Sequence, residues 1–290
     1  MSSIWGNKIQ VSIFGESHGN AIGATINGLP SGVAVDMEAV KFEMKRRSAK
    51  GNRLATPRKE EDELEILSGV FEGKTTGTPL TAIIRNQNTR SKDYARTKDL
   101  MRPGHADYSG WQRYQGFQDY RGGGHFSGRL TAPLVFAGAI CKAALAKLHP
   151  EIRIGSRILA IGGVEDVKSI NWREYADMHF ENPLFPVYTP KMEEAMKARV
   201  LEAVKEHNSV GGIIEGFVTG MPAGIGDPMF DSIESHLSAL IFSIPAVKGL
   251  EFGLGFDITK LTGLEANDPF FMDGDQVRTK TNNNGGINGG

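Results

Sequence analysis

Residues 9–28, IQVSIFGESHGNAIGATING, decide the fold. β-Branched and aromatic residues alternate with small or polar ones on both sides of the glycine-bounded GESHG, the pattern of two strands joined by a turn. The same five letters match the Gly-x-Ser-x-Gly elbow of a serine hydrolase, but an elbow runs strand, turn, helix, whereas NAIGATING reads as a second strand. The segment is therefore a hairpin tip that presents Glu16, Ser17 and His18, the last a proton donor or acceptor near neutral pH. A serine hydrolase built on Ser17 stays as the weaker alternative.

Working outward, Asp36 caps a helix with Met37, Val40 and Met44 on one face and Lys45, Arg46 and Arg47 at the end that favours cations. LEILSGVF and PLTAIIR read as strands linked by the polar turn EGKTTGT. Residues 86–128 make a polar, aromatic, glycine-rich connection of a length that points to function. LTAPLVFAGAICKAALAKL then has helical periodicity up to Pro150, and IRIGSRILAIGGV is a strand pair or one bent strand. Thr189 and Pro190 open an amphipathic helix through Val204, GGIIEGFVTG resumes the strand pattern, and Asp231 with Glu234 caps a helix ending near Ser243. GLPSG at 28–32 and GMPAG at 220–224 each close a strand-like run before a helix, which signals either a duplicated strand–turn–helix unit or ordinary turn chemistry.

Composition narrows the class. With 290 residues, 40% of them hydrophobic, and 33 basic against 34 acidic side chains for a net charge of -1, the chain is neither a disordered tail nor a collagen. Length alone allows one or two domains. Glycine is abundant, 36 of 290, so tight backbone is needed somewhere. Cys141 is the only cysteine and sits in an apolar run, so no disulfide closes within the chain and a reducing cytosol is expected. MSSIWGNK is no signal peptide, and the apolar run at 132–146, broken by Lys142, falls short of the roughly 18 residues of a membrane span. A cytoplasmic protein is expected, without metal, membrane or nucleic-acid partners.

Two further sites carry anion chemistry. Lys45, Arg46, Arg47, Lys50, Arg53, Arg58 and Lys59 concentrate positive charge in a neutral chain, either as a solvated helix end or as a grip on phosphate or carboxylate. RGGGHFSGR at 121–129 leads into a helix, where successive glycines let backbone amides approach a phosphate. The spacing is not that of a Rossmann loop. RPGHAD, at 102–107, adds Arg102 and His105 on a stiff turn. A non-catalytic anion- or RNA-binding protein is the second alternative.

GESHG, GLP, the arginines 47 and 53, TPRKE, SGVFEGKTTGTPL, RPGHADY, DYRGGG and AVKGLEFG occur in an order that resembles the chorismate synthase family, from about residue 5 to the last. The resemblance implies a carbon–oxygen lyase of the shikimate pathway that makes aromatic amino acid precursors. Such an enzyme converts 5-enolpyruvylshikimate 3-phosphate to chorismate and phosphate by 1,4-anti elimination, using reduced FMN without net redox change. NADPH is a candidate source of the reducing equivalents. The implied fold is an α+β sandwich of two antiparallel sheets flanked by helices, as a single domain over 1–290, in a homotetramer. His18 matches the histidine that protonates the departing phosphate, and His105 the one beside the flavin. Ser17, Arg47, Arg53, Arg102 and Arg129 match substrate contacts. His125, Phe126, Ser127, Ala246 and Gly289 match flavin contacts, to which Arg47 and Arg53 also contribute. The sequence departs from the family where His125 replaces Arg, Leu130 replaces Glu and Pro245 replaces Asn. A Lys-Pro-Thr segment that binds FMN and an Arg-His-Asp segment with a catalytic carboxylate are absent from the sequence, so a C-terminally shortened domain is expected.

Overall fold

The computed structural model describes residues 3–48, 54, 62–87, 99–167, 174–175 and 178–290. They form a mixed α+β protein of antiparallel sheets and helices, in two compact units, Met1–Met221 and Pro222–Gly290.

The quoted stretch is a hairpin, as its pattern predicts. β2 (Gln10–Gly15) and β3 (Ala21–Asn27) pair from Gln10 with Asn27 to Gly15 with Ile22. They lie in a five-stranded sheet of order β1-β2-β3-β7-β4, with β1 (Ile4–Trp5), β7 (Leu80–Arg85) and β4 (Leu64–Ser68). The side-chain period of two puts Ile22, Ala24 and Ile26 of β3 on one face beside Ile84, Ala82 and Leu80 of β7, all fully buried. Against that face packs a long helix described below, and α1 (Met37–Arg47) packs on that helix, with Val40 and Met44 in the same core. Asp36 caps α1 as predicted, its carboxylate accepting the Glu38 and Ala39 N–H groups at 3.0 Å.

The run LEILSGVF is not one strand. Gly69, at φ 85, separates β4 from β5 (Val70–Phe71), which pairs with β6 (Lys74–Thr75) in its own ribbon. A Cβ at Gly69 would meet Leu80 Cα at 2.3 Å, so only glycine lets the chain turn there against β7.

A short helix, α2 (Asp107–Arg113), lies in the segment expected only as a connection. It is followed by α3 (Thr131–Leu148), the core helix. With the turns before it, α3 is long and apolar enough to cross a bilayer by length and composition, which the broken run at 132–146 does not predict. That apolarity is used on the core: Ala132, Phe136, Ala137, Ile140 and Ala144 are buried. Burial of a side chain such as Phe136 or Ile140 stabilises by about 1.5–3 kcal/mol. Cys141 is half-buried, and burial pushes its thiol up from the ordinary value, as fits an inert core cysteine.

The second sheet has the order β10-β8-β9, from β8 (Arg153–Ile161), β9 (Val164–Glu165) and β10 (Gly212–Thr219). α4 (Pro190–Lys205) packs on β8 and β9. Asp166 anchors its start by accepting the Tyr188 and Thr189 N–H groups at 2.7 and 3.0 Å.

The second unit holds α5 (Ile233–Ile241), α6 (Gly263–Ala266) and the hairpin of β11 (Phe270–Asp273) and β12 (Gln276–Thr279). The cap of α5 is Ser232, whose hydroxyl accepts the Ser235 N–H at 3.0 Å, rather than the predicted Asp231 with Glu234. The hydroxyl one residue later reaches the first-turn donor, and Asp231 lies in the preceding turn, 3.5 Å from His236.

The two Gly-x-Pro-x-Gly loops match in backbone. Gly28 and Gly220 have φ 84 and 73, and Gly32 and Gly224 have φ 79 and 84.

Candidate active site

The hairpin tip buries its chemistry. Ser17 and His18 are only 1% and 5% exposed, and Ser17 Oγ lies 3.1 Å from His18 Nδ1. The strand–turn–strand setting removes the elbow geometry that a serine hydrolase needs.

The glycine loop explains the burial. Gly122, Gly123 and Gly124 all take positive φ, at 58, 84 and 54, the region in which glycine alone is unstrained. A Cβ at Gly122 would stand 2.2 Å from His18 Cε1 and 2.3 Å from Nδ1. The imidazole therefore rests on bare backbone. Gly124 C=O accepts the Ser17 N–H at 3.1 Å, which fastens loop to tip. His125 adds a second fastening, with Nδ1 2.8 Å from Gly15 O and Nε2 2.9 Å from Ser3 Oγ. In front of the glycines, Arg121 forks onto Asp119 at 2.8 and 2.7 Å. That bond, together with the charges of Arg121 and His18, holds the Asp119 carboxyl below the ordinary carboxylate range despite its burial.

A buried carboxylate gathers two arginines. Asp62 accepts Arg47 Nη1 at 2.5 Å and also pairs with Arg129 Nη1. Arg47 Nε further donates to Thr131 Oγ1 at 3.1 Å, and Arg129 Nε to Asn86 Oδ1 at 3.3 Å. Two guanidinium groups thus converge on one carboxylate, and guanidinium is the group that grips phosphate or carboxylate in bidentate fashion. Asp62 itself sits at φ 51, a left-handed conformation that costs on the order of 1 kcal/mol in a non-glycine residue and persists where surroundings hold it. Arg53, from the same predicted cluster, lies outside the described residues.

The third group borders a cleft of about 280 Å³ lined by Arg102, His105, Gly122, Gly123, Phe126 and Ser127, among others. Arg102 forks onto Asp107 with two bonds of 2.8 Å, and His105 Nδ1 lies 3.0 Å from Pro103 O. The Asp107 carboxyl is held low chiefly by the Arg102 bond. Phe126 is half exposed, packing on Tyr114 with ring centroids 6.1 Å apart. Ser127 Oγ accepts the Arg129 N–H at 3.3 Å. His125 is not in the cleft lining.

Of the sequence-predicted residues, Ser17 and His18 thus meet the glycine loop, Arg47 and Arg129 meet at Asp62, and Arg102 and His105 share the cleft with Phe126 and Ser127. Ala246 and Gly289 belong to the second unit, where both have positive φ, 71 and 81. Sequence reasoning missed Asp62, Asn86 and Asp119. Only Asp119 carried a local signal, an Asp two residues before the Arg121 N–H it accepts at 3.0 Å.

Three comparisons bear on this arrangement. Residues 9–290 match the family model described as chorismate synthase. A chorismate synthase of Thermococcus kodakarensis is 45% identical over 289 residues, covering 98% of this chain and 78% of the relative, and one of Dehalococcoides mccartyi is 41% identical over 292 residues, covering 100% and 79%. A crystal structure of chorismate synthase superposes with a TM-score of 0.77 at 29% identity, covering 98% of this chain and 80% of the other.

Proposed function

This chain belongs to the chorismate synthase family, and from that premise we propose that it converts 5-enolpyruvylshikimate 3-phosphate to chorismate and phosphate in the shikimate pathway. The reaction breaks one C–O bond to phosphate and one C–H bond and forms a new C=C bond, a 1,4-anti elimination with no net redox change. The observation that carries the reading is the buried His18 resting on Gly122, with the Arg47–Asp62–Arg129 group tied to the same turn through Asn86.

In this reading the arginines bind the substrate's phosphate and carboxylates through the forked donors of their guanidinium groups. His18 gives a proton to the departing phosphate, its ring held by Ser17 and the glycine backbone. His105 lines the cleft, and in this reading it adjusts the protonation of a cofactor there.

The residues present fit a flavin. A Cβ at Gly123 would have only Ser127 Cβ within 4 Å, at 3.8 Å, so the glycine leaves open space beside the cleft. Gly122, Gly123, Phe126 and Ser127 would hold the group, Phe126 by its exposed ring, and the family resemblance adds Ala246 and Gly289 as further contacts. Reduced FMN, when bound, would lend electron density to the substrate transiently, leaving the protein to position and to stabilise charge. We also carry NADPH as a source of reducing equivalents, a cytoplasmic location and a homotetramer as parts of the proposal.

The test is anaerobic incubation with reduced FMN and the enolpyruvyl phosphate, following phosphate release and chorismate absorbance together. Stoichiometric appearance of both is expected. Substrate and flavin binding without either product would sink the reading.

A further inference from the structure

Both side-chain N–H donors of Asn86 are used within the protein. Its Nδ2 donates to Glu16 O at 3.0 Å and to Gly19 O at 2.9 Å, and its Oδ1 accepts Arg129 Nε at 3.3 Å. Its backbone N–H donates to Asn20 O at 3.2 Å. A side-chain amide has two N–H donors, and both are used on the two carbonyls that bracket Ser17 and His18. Nothing is left on that nitrogen for a ligand. Asn86 immediately follows β7, a central strand of the sheet whose Ile84 is fully buried, so the clamp is mounted on rigid backbone.

The other end of the amide reaches the anion site. Arg129, which it holds, pairs with Asp62, and Asp62 holds Arg47. One side chain thus fixes the proton-carrying turn relative to the arginine pair.

We propose that Asn86 is the positioning residue of the elimination: it holds the His18 turn at a fixed place against the Arg129 guanidinium, so that proton donor and bound anion are aligned before substrate arrives. The proposal rests on the reading of His18 as proton donor. Misplacing a reacting group by about 1 Å costs on the order of 10²-fold in rate, so the effect belongs in kcat rather than in substrate binding.

The experiment uses the full chain carrying Asn86→Ala or Asn86→Asp, with His18→Ala alongside. Asn86→Asp keeps the shape and the acceptor for Arg129 but loses both donors to the turn. Both Asn86 variants are expected to lower kcat roughly tenfold to a hundredfold, and in Asn86→Asp, which keeps the acceptor for Arg129, KM should change less than about threefold. Carbethoxylation of His18, followed by peptide mass spectrometry in the absence of substrate, should accelerate in both, while that of exposed His105 should not change. Melting temperature confirms that the compared variants are folded, and Asn86→Asp alone decides if Asn86→Ala does not fold. Wild-type kcat in Asn86→Asp would overturn the proposal, because contact with Arg129 would then suffice. Unchanged His18 labelling in the variants would overturn it too. Full turnover by His18→Ala would instead defeat the proton-donor reading, a result separable from the labelling arm, which reports on His18 placement without catalysis.

Discussion

Two histidine turns border the same glycines and are built in opposite ways. The Glu16–Gly19 turn is buried and held from far along the chain, by Asn86, by Gly124 and by the closeness of Gly122. The turn carrying His105 is exposed and closes on itself: Arg102 and Asp107 fork together, the Arg102 N–H also reaches Asp107 at 3.0 Å, and His105 N–H donates to Arg102 O at 3.3 Å. One histidine is set by the tertiary fold. The other is set by six residues and can shift without disturbing the sheet. Group placement that must be precise is mounted on rigid elements, whereas a group that adapts to an incoming ligand sits on a local turn.

The largest blow to that contrast is Gly122→Ala. Its methyl would have to occupy the His18 ring, so activity should fall by roughly 10²-fold or more, read as loss of phosphate release. If Gly122→Ala were near wild type, the buried turn would be far more adaptable than its packing indicates. Asp62→Asn comes next: it leaves two arginines short of their counter-charge, and breaking such a buried pair costs about 3 kcal/mol, read as a lower denaturation midpoint. Gly123→Ala is the control for Gly122, because it meets only Ser127 Cβ at 3.8 Å and pays just the left-handed backbone, about 1–2 kcal/mol. The smallest effect belongs to the exposed turn. Asp107→Asn should cost no more than about 1 kcal/mol, as surface ion pairs do.

The last prediction has a pH signature. The folded Asp107 pKa lies below the ordinary carboxylate value of 3.8, so its stabilisation is present above that value and is lost as pH falls through the folded one. Asp119 behaves alike. Acid titration of stability should therefore flatten slightly in Asp107→Asn, with no difference expected in slope between pH 6 and pH 8.

The same contrast accounts for what the sequence alone could tell. RPGHAD was legible because its bonds are local, as was the Asp36 cap, and the β2–β3 hairpin was legible from its alternation. Asp62 was not: it lies in the acidic run EEDELE, and only the fold brings Arg47 and Arg129 to it. Asn86 begins the polar stretch NQN, where an amide that clamps a turn looks like any other loop residue. α2 was missed because DYSGWQR has a central glycine and little apolar periodicity; a Cβ at Gly110 would stand 2.9 Å from the Phe126 ring, a contact the sequence does not reveal. The break at Gly69 was hidden in an apparently continuous strand for a like reason, the neighbouring Leu80 backbone.

The paired Gly-x-Pro-x-Gly loops make a statement about mutational tolerance. A Cβ at Gly28 would lie 1.9 Å from Lys8 O, and one at Gly220 would lie 1.8 Å from Glu151 O, whereas Gly32 and Gly224 have nothing within 4 Å. In a saturation library the first glycine of each loop should tolerate no substitution. The second should accept Asn or Asp, the residues that enter the left-handed region most readily. The two loops would leave the same two-position fingerprint, forbidden then permissive, in a selection for growth.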